Sequence, residues 1–285
     1  MPKAEVVRQT TATRVPGRSD WPSILGRGVV ALLGGICVAL VALPLIALLL
    51  RVPFDQLFTY LGKPIVTNAL RLTLISTLSS LALMIVLGTP VAYALGRHEF
   101  RGKRLLESVL ELPLVLPPAV AGVALLFAFG RRTAIAGVLR GVNVEIAFTL
   151  VAVVLAQFFV AAPFYIKSAR VGFQGVPKDL LDAAAVQGAG GWGIARYVLI
   201  PLALPGLAGG AVLGWARAVG EFGATILFAG NFEGRTQTMP LAIYISMESD
   251  TNAAIILSSI LVLSSFTVLL LFKLLTGKTL DVTPE

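Results

Sequence analysis

Apolar positions in this chain neither alternate nor recur along one narrow helical stripe; they run in long blocks separated by short polar stretches. Six blocks approach or exceed the length of about 20 residues that a helix needs to cross a bilayer: 28–50, 72–95, 112–130, 146–166, 197–230 and 253–272. The first carries no charge, and the fourth holds Gln157 as its one strongly polar side chain. The fifth is longer than one straight span requires and contains Arg217 and Glu221. Pro201 and Pro205 remove backbone donors near its start and should bend or break it there. The pattern predicts an all-α polytopic membrane protein with six transmembrane helices. Residues 1–27 are expected to form a polar cytosolic tail, residues 28–275 one membrane domain, and 276–285 a short cytosolic tail. The polar N-terminal stretch is too long for a cleavable signal, and the run after it is longer than a signal-peptide core.

Composition agrees with lipid as the solvent. The 285 residues are 56% hydrophobic and 13% charged, with a mean hydropathy of +0.87; a soluble domain carries about 25% charged residues. The net charge of +8 does not point to nucleic acid, because the basic residues sit between the apolar blocks. Fifteen Lys and Arg fall on the side holding the N-terminus and seven on the other, with Arg217 uncounted inside a block. That excess places both termini in the cytoplasm. One cysteine, Cys37, and one histidine, His98, allow neither an internal disulfide nor a metal site of familiar spacing.

The cytosolic loop before the fifth block reads "DLLDAAAVQGAGGWGIARYVLIP", and its Gly188, Gly190 and Gly193 spell G-x-G-x-x-G. A dinucleotide loop needs a strand before it, a helix after it and an acidic residue about 20 positions on. None of these conditions is met. The preceding "PKDLLDAAAVQ" is helix-like, with Pro177 at its start and Gly188 as a left-handed stop. No G-x-x-x-x-G-K-[ST] occurs either, so ATP-driven work must come from a partner chain. Ala183, Ala184 and Ala185 leave a face with little bulk, and Asp179 and Asp182 complement the positive end of the helix dipole. On chemistry alone this is either a docking element for a cytosolic partner or an ordinary helical loop.

The spacing resembles the cytoplasmic signature of ATP-binding-cassette importer permeases: E-A-A, three residues, G, nine residues, I-x-L-P. Here it reads Asp182-Ala183-Ala184, Gly188, then Val198-x-Ile200-Pro201. Asp replaces Glu, Val replaces Ile, and Ile replaces Leu. "LPLVLPPAVAGVALL" over 112–126 looks like the third span of oxyanion importer permeases. "WARAVGEFGATILFAGNFEGRTQTMPLAIY" over 215–244 is similar to molybdate permeases, with sulfate and thiosulfate permeases more distant. The likeness covers about residues 60–275. It implies a type I importer permease fold and import of molybdate or tungstate, with sulfate or thiosulfate as the alternative. It also implies a coupling helix within 177–201, and a bacterial or archaeal cell membrane location. The implied partners are a second copy of the chain, two ATPase subunits that carry the ATP-Mg, an extracytoplasmic binding protein and membrane lipid. No cofactor, metal or catalytic residue is expected in this chain.

Other residues stay open between two readings. Gly206, Gly210 and Gly214 recur every four positions, the small-residue pattern of close helix packing, either static or re-packing during gating. Arg217 and Glu221 stand at i, i+4; they either line or gate the anion path or form a structural pair. Thr73, Ser76, Thr77 and Ser80 share a helix face; they could offer donors to an oxyanion or bond their own backbone. A secondary transporter would be expected to show internal repeats, and none is evident. An intramembrane hydrolase would need a nucleophile and base within a span, and only the unlinked Glu111 and Glu221 could serve.

Overall fold

The computed structural model describes residues 24–131, 133, 137–138 and 145–280. Residues 1–23 of the expected tail 1–27, the final five residues, and Arg132 and Arg140 lie outside the described residues. Every regular element among those described is helical. The chain divides into two units, residues 1–50 and 51–285.

The first unit contains α1, Ile24–Leu49. Its side chains from residue 28 on are apolar and largely exposed, Pro44 included within the helix. A helix apolar on every side suits lipid or a protein neighbour, not water.

The second unit begins with the short α2 (Leu57–Leu61) and the 34-residue α3 (Pro64–Arg97). Pro64 sits in the first turn, where its missing N–H costs nothing. The structure therefore starts this helix eight residues before the expected 72, because Thr67, Asn68 and Arg71 lower the local hydropathy without opposing a helix. At 1.5 Å per residue α3 is about 50 Å long, more than the ~30 Å hydrocarbon core. Its buried residues fall three or four apart on one face, from Val66 through Thr73, Thr77 and Met84 to Leu95.

The apolar block 112–130 is not one straight helix. Helices α4 (Lys103–Val115) and α5 (Pro118–Phe129) are bent from one another by 118°. Pro117 drives the preceding Leu116 to extended backbone, with φ −67° and ψ 132°, and Pro118 then opens a new helix. Five helices are long and apolar enough to span, or six when this bent pair counts as one.

α6 (Leu150–Gln174) is the central helix, buried along much of its length. It continues past the expected end at 166, so Lys167 and Arg170 lie on the helix and not in a loop. After it come α7 (Lys178–Val186) and α8 (Gly191–Ile194), then a π-helical turn, Ala195–Leu199, leading into α9 (Ile200–Val219). The break expected from Pro201 and Pro205 is absent: the helical run is continuous, and the wider turn before Pro201 absorbs its missing donor. The expected block 197–230 instead ends at Val219. Gly220 closes it, and the six-residue α10 (Gly223–Phe228) follows. α11 (Met239–Ser249) and α12 (Thr251–Leu280) complete the unit.

Three clusters hold it together. Met84, Leu95, Tyr165, Phe173 and Ala203 join α3, α6 and α9. Leu125, Val153, Ala224 and Phe228 join α5, α6 and α10. Val66, Met239 and Leu257 join α3, α11 and α12. At the N-terminal ends of α3 and α12, Asp250 accepts hydrogen bonds from Lys63 (2.9 Å), Tyr60 (3.0 Å) and the Ala253 N–H (3.2 Å). The Lys63 bond holds the Asp250 carboxyl below the usual carboxylate range, and Asp250 in turn raises Lys63.

Candidate functional site

α7 stands on a fixed base. The Arg97 guanidinium, in the last turn of α3, donates to the carbonyls of Val176 (2.8 Å) and Phe173 (3.3 Å). These are end carbonyls of α6 and its exit, at the negative end of the helix dipole; the Phe173 carbonyl also takes the Val176 N–H at 3.4 Å. Val176 is buried beneath them. Pro177 then precedes α7, and Asp179 occupies its first turn.

No residue of α7 is buried. Leu181 packs onto the α3–α6–α9 cluster, while Leu180, Asp182, Ala183 and Val186 are exposed and Ala184 is half-buried. The helix is stopped by Gly188 at φ +88°. Its N–H bonds Ala185 O at 2.9 Å, and the next N–H, of Ala189, reaches back to Ala184 O at 3.0 Å. Those two bonds are the Schellman motif, which needs the left-handed conformation that glycine adopts without strain. Gly190 precedes α8 and Gly193 lies inside it, so the G-x-G-x-x-G run meets no strand and forms no phosphate cradle. Val198 is half-buried; Ile200 and Pro201 are exposed where α9 begins.

Two aromatic residues beside α7 escaped sequence reasoning. Trp192 is 74% and Tyr197 75% exposed, and Val186 is 89% exposed. Large apolar side chains left open to this degree mark an interaction surface when they cluster. The available signal was a tryptophan set among glycines in "GAGGWG".

The glycine series lies where α9 crosses α6. A Cβ on Gly206 would stand 2.5 Å from the Gly172 Cα; on Gly210, 2.9 Å from Tyr165 O; on Gly214, 2.9 Å from the Met84 sulfur. Gly172 answers from α6, where a Cβ would meet Ala203 O at 2.9 Å. The Ser168 hydroxyl bridges the crossing by donating to Gly206 O at 2.9 Å. Two ion pairs brace the other side of α6, Arg170–Glu107 at 3.1 Å and Lys167–Glu111 at 3.2 Å, both to α4.

Arg217 and Glu221 meet at 2.8 Å. Glu221 lies beyond the end of α9 and its side chain is 1% exposed; its other oxygen accepts the Ala224 N–H at 2.8 Å, at the start of α10. One carboxylate thus neutralises Arg217 and caps a helix. Thr73, Ser76, Thr77 and Ser80 are all buried. The Thr73 hydroxyl accepts the Met239 N–H at 2.8 Å, capping α11, while Ser76 and Thr77 donate to Thr73 O at 3.2 and 2.7 Å. The Ser80 hydroxyl has no partner within the described protein, nor do the Gln157, Gln237 and Ser246 side-chain oxygens. The last two were not anticipated as site residues. No group of three His, Cys, Asp or Glu residues among those described could hold a metal ion.

This arrangement has relatives. Residues 84–280 match the family described as binding-protein-dependent transport system inner membrane component. The chain is 40% identical over 233 residues to the molybdenum transport system permease protein ModB of Mycobacterium tuberculosis, covering 82% of this chain and 88% of that one. It is 44% identical over 169 residues to ModB of Escherichia coli K12, covering 58% and 74%. A probable sulfate transport system permease protein of Marchantia polymorpha is 31% identical over 234 residues, 81% of each chain. In fold, the crystal structure of a bacterial ABC transporter involved in import of the acidic polysaccharide alginate aligns with a TM-score of 0.66 at 16% identity, covering 90% of this chain and 96% of that one. This helical, multi-span chain, whose sequence matches along most of its length, belongs to the family of inner-membrane permease components of binding-protein-dependent, ATP-binding-cassette transport systems.

Proposed function

We propose that this chain is the membrane-spanning permease subunit of an importer for molybdate or tungstate, driven by ATP that a partner hydrolyses. It works as a pair of copies in a bacterial or archaeal cell membrane, with both termini cytoplasmic. Two ATPase subunits bind its cytosolic face, and an extracytoplasmic binding protein delivers the oxyanion. The observation that carries the coupling role is α7: exposed, low in bulk over Ala183–Ala184, and stopped by Gly188 at φ +88°. Such a helix can seat in a groove of an ATPase. Arg97 ties its base to α3 and α6, so movement of the groove passes into both spans. The 40% identity to ModB over most of the chain supports molybdate as cargo.

Because Arg217 is neutralised by Glu221, it contributes little positive potential to an anion path, and the pair is best read as a brace. The buried Ser80, Gln157, Gln237 and Ser246 groups without partners are better candidates for a path that is closed in this conformation, since buried polar atoms are seldom left unpaired.

The test is uptake by proteoliposomes holding the chain, its ATPase and its binding protein, with molybdate, tungstate and sulfate supplied in turn. The expected result is ATP-dependent uptake of molybdate or tungstate and not sulfate. Sulfate uptake alone would move the assignment to the sulfate branch, and uptake without ATP would overturn the importer reading.

A further inference from the structure

Among its charged side chains, α3 presents one that nothing among the described residues answers. Arg71 is exposed and makes no hydrogen bond or ion pair among the described residues, in contrast to Lys63, eight residues before it, which pairs with Asp250. It lies within a membrane-spanning helix, about 10 Å from the helix start at 1.5 Å per residue. A 34-residue helix centred on a ~30 Å hydrocarbon core has its first 10 Å outside that core, so Arg71 stands at the boundary, where a guanidinium reaches headgroups.

Arg71 stands at the end of a groove between α3, α9 and α12. Its first part, about 260 Å³, is walled by Arg71, Leu74, Trp215 and Ile260; its second, about 350 Å³, by Leu74, Leu78, Leu81 and Val268, again with Trp215. Leu74 and Trp215 line both parts, so the two lie next to one another along α3. Two of the hydroxyls along it donate to backbone carbonyls, Thr77 to Thr73 O and Ser264 to Leu261 O, and Thr73 accepts the Met239 N–H. With Arg71 as its one charged wall residue, the groove suits an occupant that is apolar along its length and anionic at one end.

The length is also specific. From Arg71 to Leu81 is ten residues, roughly 15 Å of helix rise, which is half of a ~30 Å hydrocarbon core. Leu81 lies near the midpoint of the 34-residue α3. The groove thus runs from the level of a headgroup to the middle of the bilayer, as one acyl chain does. We propose that this groove is a binding site for an anionic phospholipid, with the phosphate on Arg71 and an acyl chain laid along Leu74, Leu78 and Trp215. Arg suits the task because its planar fork takes two phosphate oxygens at once. A small inorganic anion would leave the apolar wall unfilled.

The test uses Trp215 as its own reporter. The chain has three tryptophans, and replacing Trp21 and Trp192 with Phe leaves Trp215 alone. The full chain goes into phosphatidylcholine nanodiscs doped with phosphatidylglycerol or phosphatidylcholine brominated along the acyl chain. The expected result is that brominated phosphatidylglycerol quenches Trp215 about fivefold more effectively per molecule, the ratio given by roughly 1 kcal/mol for a basic residue at an anionic lipid surface. Arg71→Lys, which keeps the charge but loses the fork, keeps part of that preference, and Arg71→Gln removes it. Equal quenching by the two lipids would mean ordinary surrounding lipid. A preference that survives Arg71→Gln, or no quenching because a second copy or another protein fills the groove, would equally overturn the proposal.

Discussion

Single atoms decide how closely α9 can lie on α6. Gly206 and Gly209 are neighbours on the same helix, yet a Cβ on Gly206 would stand 2.5 Å from the Gly172 backbone, whereas on Gly209 it would rest 3.6 Å from Ser168 Oγ and 3.7 Å from Phe272. The first distance requires the helices to separate; the second is ordinary contact. Gly206→Ala is accordingly expected to destabilise the chain by about 1–3 kcal/mol, as overpacking does. Gly209→Ala should stay within about 0.5 kcal/mol of wild type. Thermal unfolding in detergent reads both, and equal losses would mean that the glycine face is not what sets the approach. The spacing of Gly206, Gly210 and Gly214 was visible in the sequence, and so was their common face. The opposing Gly172 on α6 was not, because a single glycine has no period and only the crossing makes it matter. Exposure of Trp192 and Tyr197 was hidden for a related reason: they fall where a loop becomes a span, and an aromatic there reads equally well as an interfacial anchor.

At the scale of elements, the apolar blocks located the spans but not their ends. α3 begins at Pro64 and α6 runs to Gln174 because polar residues such as Thr67, Lys167 and Arg170 continue a helix perfectly well while lowering hydropathy. The α4–α5 bend follows from Pro117 and Pro118, which were in plain view; hydropathy averaged over the block conceals a turn that dihedral preferences dictate. At Pro201 the reverse occurred, and a π-helical turn took up the missing donor without breaking the helix. The most consequential element contact is Arg97 on the exit of α6, since it joins the base of α7 to α3. Arg97→Ala should leave the spans folded but loosen that base. Coupling energies altered at such links are roughly 0.5–2 kcal/mol, so oxyanion transported per ATP hydrolysed is expected to fall a few-fold while hydrolysis itself continues. Unchanged stoichiometry in the reconstituted system would show that movement reaches the spans by another route.

For the whole molecule, membrane residence and all-helical architecture were legible from block length and charge alone, as was the absence of a Walker motif from the sequence. The coupling role proposed for α7 is not readable from chemistry, because an alanine-rich helix stopped by glycine is common; it rests on the twenty-residue spacing from Asp182 to Pro201. In the structure, α7 is an outward-facing helix on a braced base, the form that a lever between ATPase and spans requires. The most direct measurement is site-specific photo-cross-linking of the assembled transporter, with a photoreactive residue in place of exposed Ala183 on α7 and, for comparison, of exposed Phe127 on α5. The account predicts cross-links from position 183 to the ATPase subunit, with a yield that changes between nucleotide-free and ATP-bound states, and none to that subunit from position 127. Position 183 giving no ATPase adduct in any nucleotide state, in a complex that still transports, would contradict it.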